Sequence, residues 1–455
     1  MKIQQVFTPN DIPTITYVDR ADHKLEQKLR DYFATPNMVI SVSGPSKSGK
    51  TVLVKKVIPE HELISVNGAT ITSPDDLWEK VLGWMGSPSE TTVSDSTSNE
   101  ISGSVNAGGK LKVPFVAEGG AQAEFAGSRG WGGETSKSYS RNGLQQVIKE
   151  IAGSSFAVFI DDFHYIDQAY RDEIGRQIKA AAENGVRIVT ASVPHRADDV
   201  VRSNPELRGR VAAVDLAYWT PSELQQIARK GFAALNVELA PRVERQLAAE
   251  AFGSPQLMQA ICLNLGFEID VREAMAELER VEVGETLLEE TMLRTSSLTD
   301  FSTMLTALHT GPRTRGTERK EHDFNDGSKG DVYRAILLAI AKDPAELALP
   351  YDKILTRVRE VCLTEPPVGS SITSALEQMQ AIAAAGEPGS SPISWDGDAL
   401  TITDPYFLFF LRASNKLTDL APVKSTGQGL LFDARRDEQR IAVEIETIVI
   451  RKERE

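Results

Sequence analysis

The sequence predicts an α/β protein: a parallel sheet between two helical layers, then an all-helical segment, then a unit of three helices and a hairpin. Three observations predict it. Five short apolar runs alternate with helical patterns over the first 218 residues, as in a parallel, three-layer sheet. The glycine loop "GPSKSGKT" (44–51) follows the first of those runs directly. Beyond residue 219 helical patterns dominate, and a strand pair returns near 392–404.

Leu25, Leu29 and Phe33 fall at helical spacing and predict an amphipathic helix over 21–34. The run 38–43 reads as a buried strand and "ELISVNG" (62–68) as a second. "SPDDLWEKVLGWM" (73–85) reads as a helix with Ser73 as cap and Pro74 at its first position. Residues 87–141 are rich in Gly and Ser, with Ile101, Val105, Leu111, Val113 and Phe115 separated by small or polar residues. An exposed β-hairpin-like insertion and a floppy surface loop both fit that pattern. "NGLQQVIKEIA" is helical, and "FAVFIDDF" (156–163) is a buried strand ending in acids. A helix over 167–185 leads to the strand "RIVTAS" (187–192), and "AAVDL" (212–216) is the fifth strand.

"TPSELQQIARKGFAAL" opens with a capping box, Thr220 to Glu223, and Pro221 stands at the first helical position. Helices near 241–251 and 254–266 follow, which gives a helical unit over 219–295. Residues 296–330 read as a polar, basic linker. Over 331–413, the helices "DVYRAILLAIAK", "YDKILTRVREVC" and "SSITSALEQMQAIAAA" precede the strand pair "PISWDGDALTITD". Asp396-Gly397 marks its tight turn, and helix–helix–helix–hairpin is the order of a winged helix. "YFLFFL" (406–411) has the size of a core strand or core helix. Residues 414–455 read as linker and tail, with strand-like alternation at 441–450.

The chain of 455 residues exceeds a single core and implies two to four domains. With 41% apolar and 25% charged residues it has ordinary globular composition. A net charge of -14 argues against wholesale wrapping of nucleic acid and leaves only a local basic patch open. Cys262 and Cys362 are the only cysteines and lie far apart; with no signal-like N-terminus, they point to a cytoplasmic setting. The six histidines are scattered, so no Cys/His metal cluster is expected. No apolar run approaches the roughly 20 residues of a spanning helix, so no membrane partner is expected.

Gly44-Pro45-Ser46-Lys47-Ser48-Gly49-Lys50-Thr51 matches the phosphate-loop pattern G-x-x-x-x-G-K-[ST]. Glycines let the backbone curl so that successive N–H groups face phosphate oxygens, and the following helix offers the positive end of its dipole. Lys50 then bridges the β- and γ-phosphates and Thr51 ligates Mg²⁺, so ATP and Mg²⁺ are the expected cofactors. "VFIDD" supplies the acids: Asp161 holds the metal through water, and Asp162 is the candidate general base for the attacking water. An Asp at 162, where many motors carry Glu, reaches less far and predicts slow hydrolysis.

These motifs, with the helical follow-on, resemble the AAA+ and STAND superfamily of P-loop ATPases over 15–413, less the 87–141 insertion. The resemblance implies a P-loop three-layer αβα ATPase core over 1–218, a helical lid over 219–295 and a C-terminal winged-helix domain over 331–413. "YVDRADHKLEQKL" is similar to the family's N-terminal motif beside the adenine; Arg20 matches, and Asp19 stands where Gly is usual. "RIVTASVPHR" resembles the sensor-1 strand, with Ser192, and after it Thr190, aimed at the γ-phosphate. "NPELRGRVAAVDL" resembles the segment that holds an arginine near the phosphates, in cis or from a neighbouring subunit; Arg210 is the first candidate and Arg208 the second. "FGSPQLMQAICLNL" is similar to the G-x-P motif of the STAND lid, which implies Pro255 near the base. The usual AAA+ sensor-2 arginine is absent there, which favours a STAND-like switch over a motor. "LTITDPYFLFFLR" resembles the end of the winged helix in bacterial and archaeal members.

The expected function is therefore an ATP-hydrolysing switch. Nucleotide closes the lid on the core, and the ATP-bound form is a homo-oligomer. The winged helix or the 87–141 insertion reports that state to protein partners. The resemblance extends this to bacterial signalling or phage defence. Two alternatives stand beside it: a DNA-remodelling initiator or transposition helper, and a nucleotide-binding scaffold that hardly hydrolyses. "SSITSALEQMQAIAAA" has no Lys or Arg and one Glu, and the basic loop "GPRTRGTERKEH" contains Glu318 and Glu321. A nucleic-acid partner is accordingly not favoured. His164 reads as a structural or coupling residue, and Trp78 and Trp84 as packing.

Overall fold

The computed structural model describes residues 1–20, 23–86, 143–193, 207, 209–313, 319–385 and 391–420. The 87–141 insertion, Arg208 and the strand-like tail at 441–450 lie outside the described residues.

Five strands, β1 (Val39–Ser43), β2 (Leu63–Asn67), β3 (Ala157–Asp161), β4 (Arg187–Ser192) and β5 (Val211–Asp215), form one parallel sheet. Their order is β2-β3-β4-β1-β5, so the strand that leads into the glycine loop lies between β4 and β5. All five residues of β1 are buried, as expected of a strand covered on both faces. Helix α1 (Ile3–Val6) stands apart from this sheet. Helices α2 (Leu25–Ala34) and α3 (Lys50–Val57) pack on one face, against Ile40, Val42 and Phe159. Helices α4 (Pro74–Trp84), α5 (Gly143–Ile151) and α6 (Gln168–Glu183) pack on the other, against Val39, Val158 and Ile160. The alternation along β1 and β3 sends successive side chains to opposite layers. The three-layer αβα core is thus as the sequence predicts.

The lid follows as α7 (Pro221–Ala234), α8 (Pro241–Glu250), α9 (Pro255–Glu268) and α10 (Glu285–Ser296). A short parallel pair, β6 (Val237–Leu239) and β7 (Glu279–Val281), stitches it. The capping box at Thr220 forms: its hydroxyl accepts the Glu223 N–H, and the Glu223 carboxylate accepts the Thr220 N–H at 2.7 Å. Ser254 caps α9 by accepting the Leu257 N–H.

Two expectations change. The span 296–330, expected as a linker, carries helix α11 (Ser302–Thr310) and an antiparallel pair, β8 (His322–Asp323) with β9 (Lys329–Gly330). Leu305 and Leu308 are fully buried; two apolar anchors among polar residues suffice to dock the helix but leave little periodicity to read. Residues 3–7, expected with the core, belong to the lid. Ile3, Val6 and Phe7 share a hydrophobic core with the lid helices, and the Phe7 and Phe232 ring centroids are 5.0 Å apart.

Helices α12 (Val332–Ala341), α13 (Tyr351–Val361) and α14 (Gly369–Ala384) combine with β10 (Ala348–Pro350), β11 (Ile393–Trp395) and β12 (Ala399–Ile402). The antiparallel order β10-β12-β11 makes this a winged helix. Gly397 turns the wing at φ 99°, a conformation glycine adopts without strain. "YFLFFL" is part of helix α15 (Pro405–Ala413), buried along its length, and α16 (Lys416–Leu420) ends the described chain. Lid and winged helix share one continuous apolar core.

Candidate functional site

In a parallel sheet every C-terminal strand end lies on the same edge. The 44–51 loop leaves β1 there, and Asp161 and Asp162 close β3 there, so the topology itself brings them together. Gly44 lies so close to β5 that a Cβ would meet the Leu216 Cβ at 2.7 Å. Lys47 and Gly49 take left-handed backbone (φ 62° and 96°), which curls the loop ahead of α3. Among the described residues no acceptor is bonded to the N–H groups of Gly49, Lys50 or Thr51. These are the donors that a loop leading into a helix offers to an anion.

The Lys50 ammonium donates to the carbonyls of Gly44 and Pro45, both at 2.9 Å. Burial pulls it down from its ordinary 10.5 to about 8, while the carboxylates of Asp162 and Asp161 pull the other way. The Thr51 hydroxyl donates to Asp161 Oδ2 at 2.6 Å. Burial raises the Asp161 carboxyl; the Thr51 hydroxyl opposes this, and the charge of Asp162 adds to it. Hydroxyl and carboxylate together are hard oxygen donors of the kind that hold Mg²⁺ beside substrate phosphates and water. Asp162 has left-handed backbone (φ 53°), and its carbonyl packs so close to Gly68 that a Cβ there would lie 2.4 Å from it. Gly68, at the end of β2, therefore makes room for the turn that carries the second acid.

These groups line one cavity of about 480 Å³, a volume that suits a small-molecule ligand. Further walls come from Thr8–Pro13 and Thr16–Arg20 of the N-terminal segment, from His164 and Tyr165 just after the acids, and from Trp219, Ile227, Pro255, Gln256 and Gln259 of the lid. Arg20 joins the pieces. Its Nε donates to Glu223 at 2.7 Å, its Nη1 to the Ala217 carbonyl at 3.1 Å, and its guanidinium lies 5.2 Å from the Trp219 ring centroid. Its side chain is 5% exposed. The Trp219 indole N–H donates to the Ser48 carbonyl at 3.0 Å, and Ser254 Oγ reaches the Lys47 carbonyl at 3.4 Å.

Ser46 to Thr51, Asp161, Asp162, Arg20 and Pro255 thus all reach the cavity wall, and Gly44 and Pro45 hold the lysine that does. Other expectations are corrected. Ser192 is buried at the end of β4, where its carbonyl accepts the Gly44 N–H at 3.2 Å; its neighbour Val193, not Ser192, lines the cavity. Thr190 is buried in mid-strand against the Ile40 carbonyl. Arg210 precedes β5, on the opposite edge of the sheet. Its carbonyl accepts the Val39 N–H at the start of β1, and its guanidinium pairs with Glu183 at 2.6 Å. Five strand residues, about 16 Å, separate it from the glycine loop, which excludes a role in cis. Sequence reasoning missed the 8–13 wall, Trp219 and Gln259. The single local signal was a tryptophan directly ahead of the Thr220 capping box.

No family model matches the chain, and no curated protein matches its sequence. Solved structures give distant likenesses. The Walker-type ATPase Paby2304 of Pyrococcus abyssi is 14% identical over 89% of this chain and 99% of its own, with a TM-score of 0.47. The ORC2 protein of Aeropyrum pernix is 12% identical over 91% and 98%, also at 0.47. Cdc6p of Pyrobaculum aerophilum is 13% identical over 92% and 97%, at 0.39. At these identities and TM-scores they fix no family for the chain.

Proposed function

We propose that the chain binds ATP with Mg²⁺ in this cavity, hydrolyses it slowly, and uses it as a switch that sets the lid and winged helix against the core. One observation carries the reading: Lys50, the Thr51–Asp161 pair and Asp162 meet in a single cavity whose opposite walls belong to the lid and the N-terminal segment. A triphosphate there replaces the Gly44 and Pro45 carbonyls as the partner of Lys50. The N–H groups of Gly49, Lys50 and Thr51 take its oxygens. Mg²⁺ brought in with the nucleotide supplies charge neutralisation beside Thr51 and Asp161. Asp162 orients the attacking water and accepts its proton.

The motif order and the plan of core, lid and winged helix support membership of the AAA+ superfamily, nearer its STAND branch. Among the described cavity-lining residues the lid contributes Trp219, Ile227, Pro255, Gln256 and Gln259 and no cation, which suits a switch better than a motor. The winged helix lies within electrostatic range of the glycine loop: Asp404, which caps α15, is raised by burial, and among the groups that oppose this is the ammonium of Lys47. Arg210, on the far edge, then serves a neighbouring subunit in an ATP-bound oligomer, and the setting is bacterial signalling or phage defence.

Calorimetric titration with MgATP tests the reading. The wild type binds; Lys50→Ala loses affinity by on the order of a hundredfold; Asp162→Asn binds and does not turn over. A Lys50→Ala protein that binds like wild type contradicts it.

A further inference from the structure

From the geometry around the glycine loop we infer that Trp219 is a positioning residue: its indole N–H orients the peptide that presents the Gly49 N–H to phosphate, and so couples loop occupancy to lid position. The inference rests on the phosphate-binding reading above.

The Ser48 carbonyl and the Gly49 N–H belong to one peptide unit. In a trans peptide the two point in opposite directions. The Trp219 indole holds that carbonyl from the lid side at 3.0 Å, so the Gly49 N–H points away from the lid residue, and no protein acceptor engages it among the described residues. The neighbouring Lys47 carbonyl has its own lid donor, Ser254 Oγ at 3.4 Å. Farther back, the Gly44 and Pro45 carbonyls hold Lys50. The lid therefore grips the half of the loop that leads into α3, and the lysine grips the other half.

Trp219 is placed to transmit lid movement. It lies between the end of β5 at Asp215 and the start of α7 at Pro221. Its own N–H donates to the Gly253 carbonyl at 3.1 Å, just ahead of the Ser254 cap of α9. Arg20 lies over its ring and also binds the Ala217 and Tyr218 carbonyls, which fixes the indole's approach. A lid that swings out carries the indole away from Ser48 and frees the peptide to turn. A loop filled by phosphate holds the peptide in place and favours the closed lid, with the same coupling in both directions.

The experiment is Trp219→Phe in the full chain, which keeps a ring and deletes the N–H. It is read by MgATP affinity and by hydrogen exchange of the α9 segment with and without saturating MgATP. In the wild type MgATP protects α9. In Trp219→Phe the affinity falls on the order of fivefold, as expected for one lost hydrogen bond, and α9 no longer responds to saturating nucleotide. A protein weakened only in its packing would unfold earlier yet still show the α9 response. Trp219→His, which keeps a ring N–H, recovers part of both signals. If Trp219→Phe does not fold, Trp219→His alone is read the same way and shows a smaller loss in the same direction. A variant that keeps wild-type affinity and α9 protection overturns the inference and leaves the function standing. A wild type that does not bind MgATP overturns the function and the inference with it.

Discussion

Lys50 is the residue at which the site meets solution pH. Burial holds its ammonium at about 8, against 10.5 in the unfolded chain. A bound triphosphate favours the charged form and raises that value. Binding therefore takes up a proton as the pH rises past about 8, is flat below about pH 7, and above about pH 8 weakens by up to about tenfold per pH unit. Titrations at pH 9 in two buffers of different ionisation enthalpy should show that uptake, absent in Lys50→Met. The same shift acts on folding with the opposite sign: between about pH 8 and 10.5 the unfolded chain holds more protons than the native one, so the site's contribution to stability rises with pH. The acids offer a second test. Gly68→Ala places a methyl 2.4 Å from the Asp162 carbonyl, which must move the second acid. Turnover should fall on the order of tenfold with MgATP affinity nearly unchanged. Asp162→Glu restores the reach of the longer acid and should speed single-turnover hydrolysis; a slower variant contradicts the assignment of Asp162. The glycine loop and acid pair are legible in the sequence because both are local strings. The Trp219–Ser48 bond spans 171 residues and has no local signature.

At the scale of elements, the N-terminal segment acts as a strap. Its residues 3–7 dock on the lid, residues 8–20 cross the cavity wall, and α2 packs on the core. Two glycines on lid helices admit it: a Cβ at Gly231 would lie 2.2 Å from the Phe7 ring, and one at Gly266 would lie 1.9 Å from Ile3 Cδ1. Gly231→Val should therefore cost about 1–3 kcal/mol of stability in urea unfolding and expose 8–13 to protease. An unchanged digestion pattern would contradict the strap. The Arg20–Glu223 pair ties the same segment to the start of α7. Arg20→Leu leaves the Glu223 carboxylate with its Thr220 hydrogen bonds but no guanidinium and should cost about 3 kcal/mol, whereas truncating an exposed pair such as Arg280–Glu238 should leave stability nearly unchanged. The sheet, the lid caps and the winged-helix order could be read because each element carries its own periodicity or cap. The strap could not, since four helical residues make too short a pattern, and neither could α11, whose burial rests on Leu305 and Leu308.

At the scale of the whole molecule, the N-terminal segment, core and lid converge on one cavity, the winged helix shares the lid's apolar core, and among the described residues no helix is long and apolar enough to cross a membrane. Three of the cations in and beside the winged helix are engaged within the protein, while Arg359 on α13 is exposed. Arg357 is buried against the Ala339 and Lys342 carbonyls, Arg319 pairs with Asp331, and Lys320 pairs with Glu365. Arg210 lies on the sheet edge opposite the cavity and pairs with Glu183; under the proposed function it completes the site of a neighbouring copy. Both points bear on steady-state ATP turnover measured across protein concentration, with and without duplex DNA. The account predicts slow turnover per chain that rises with concentration and ignores DNA. Turnover that is flat in concentration and rises on adding DNA, or no turnover at any concentration, would contradict it.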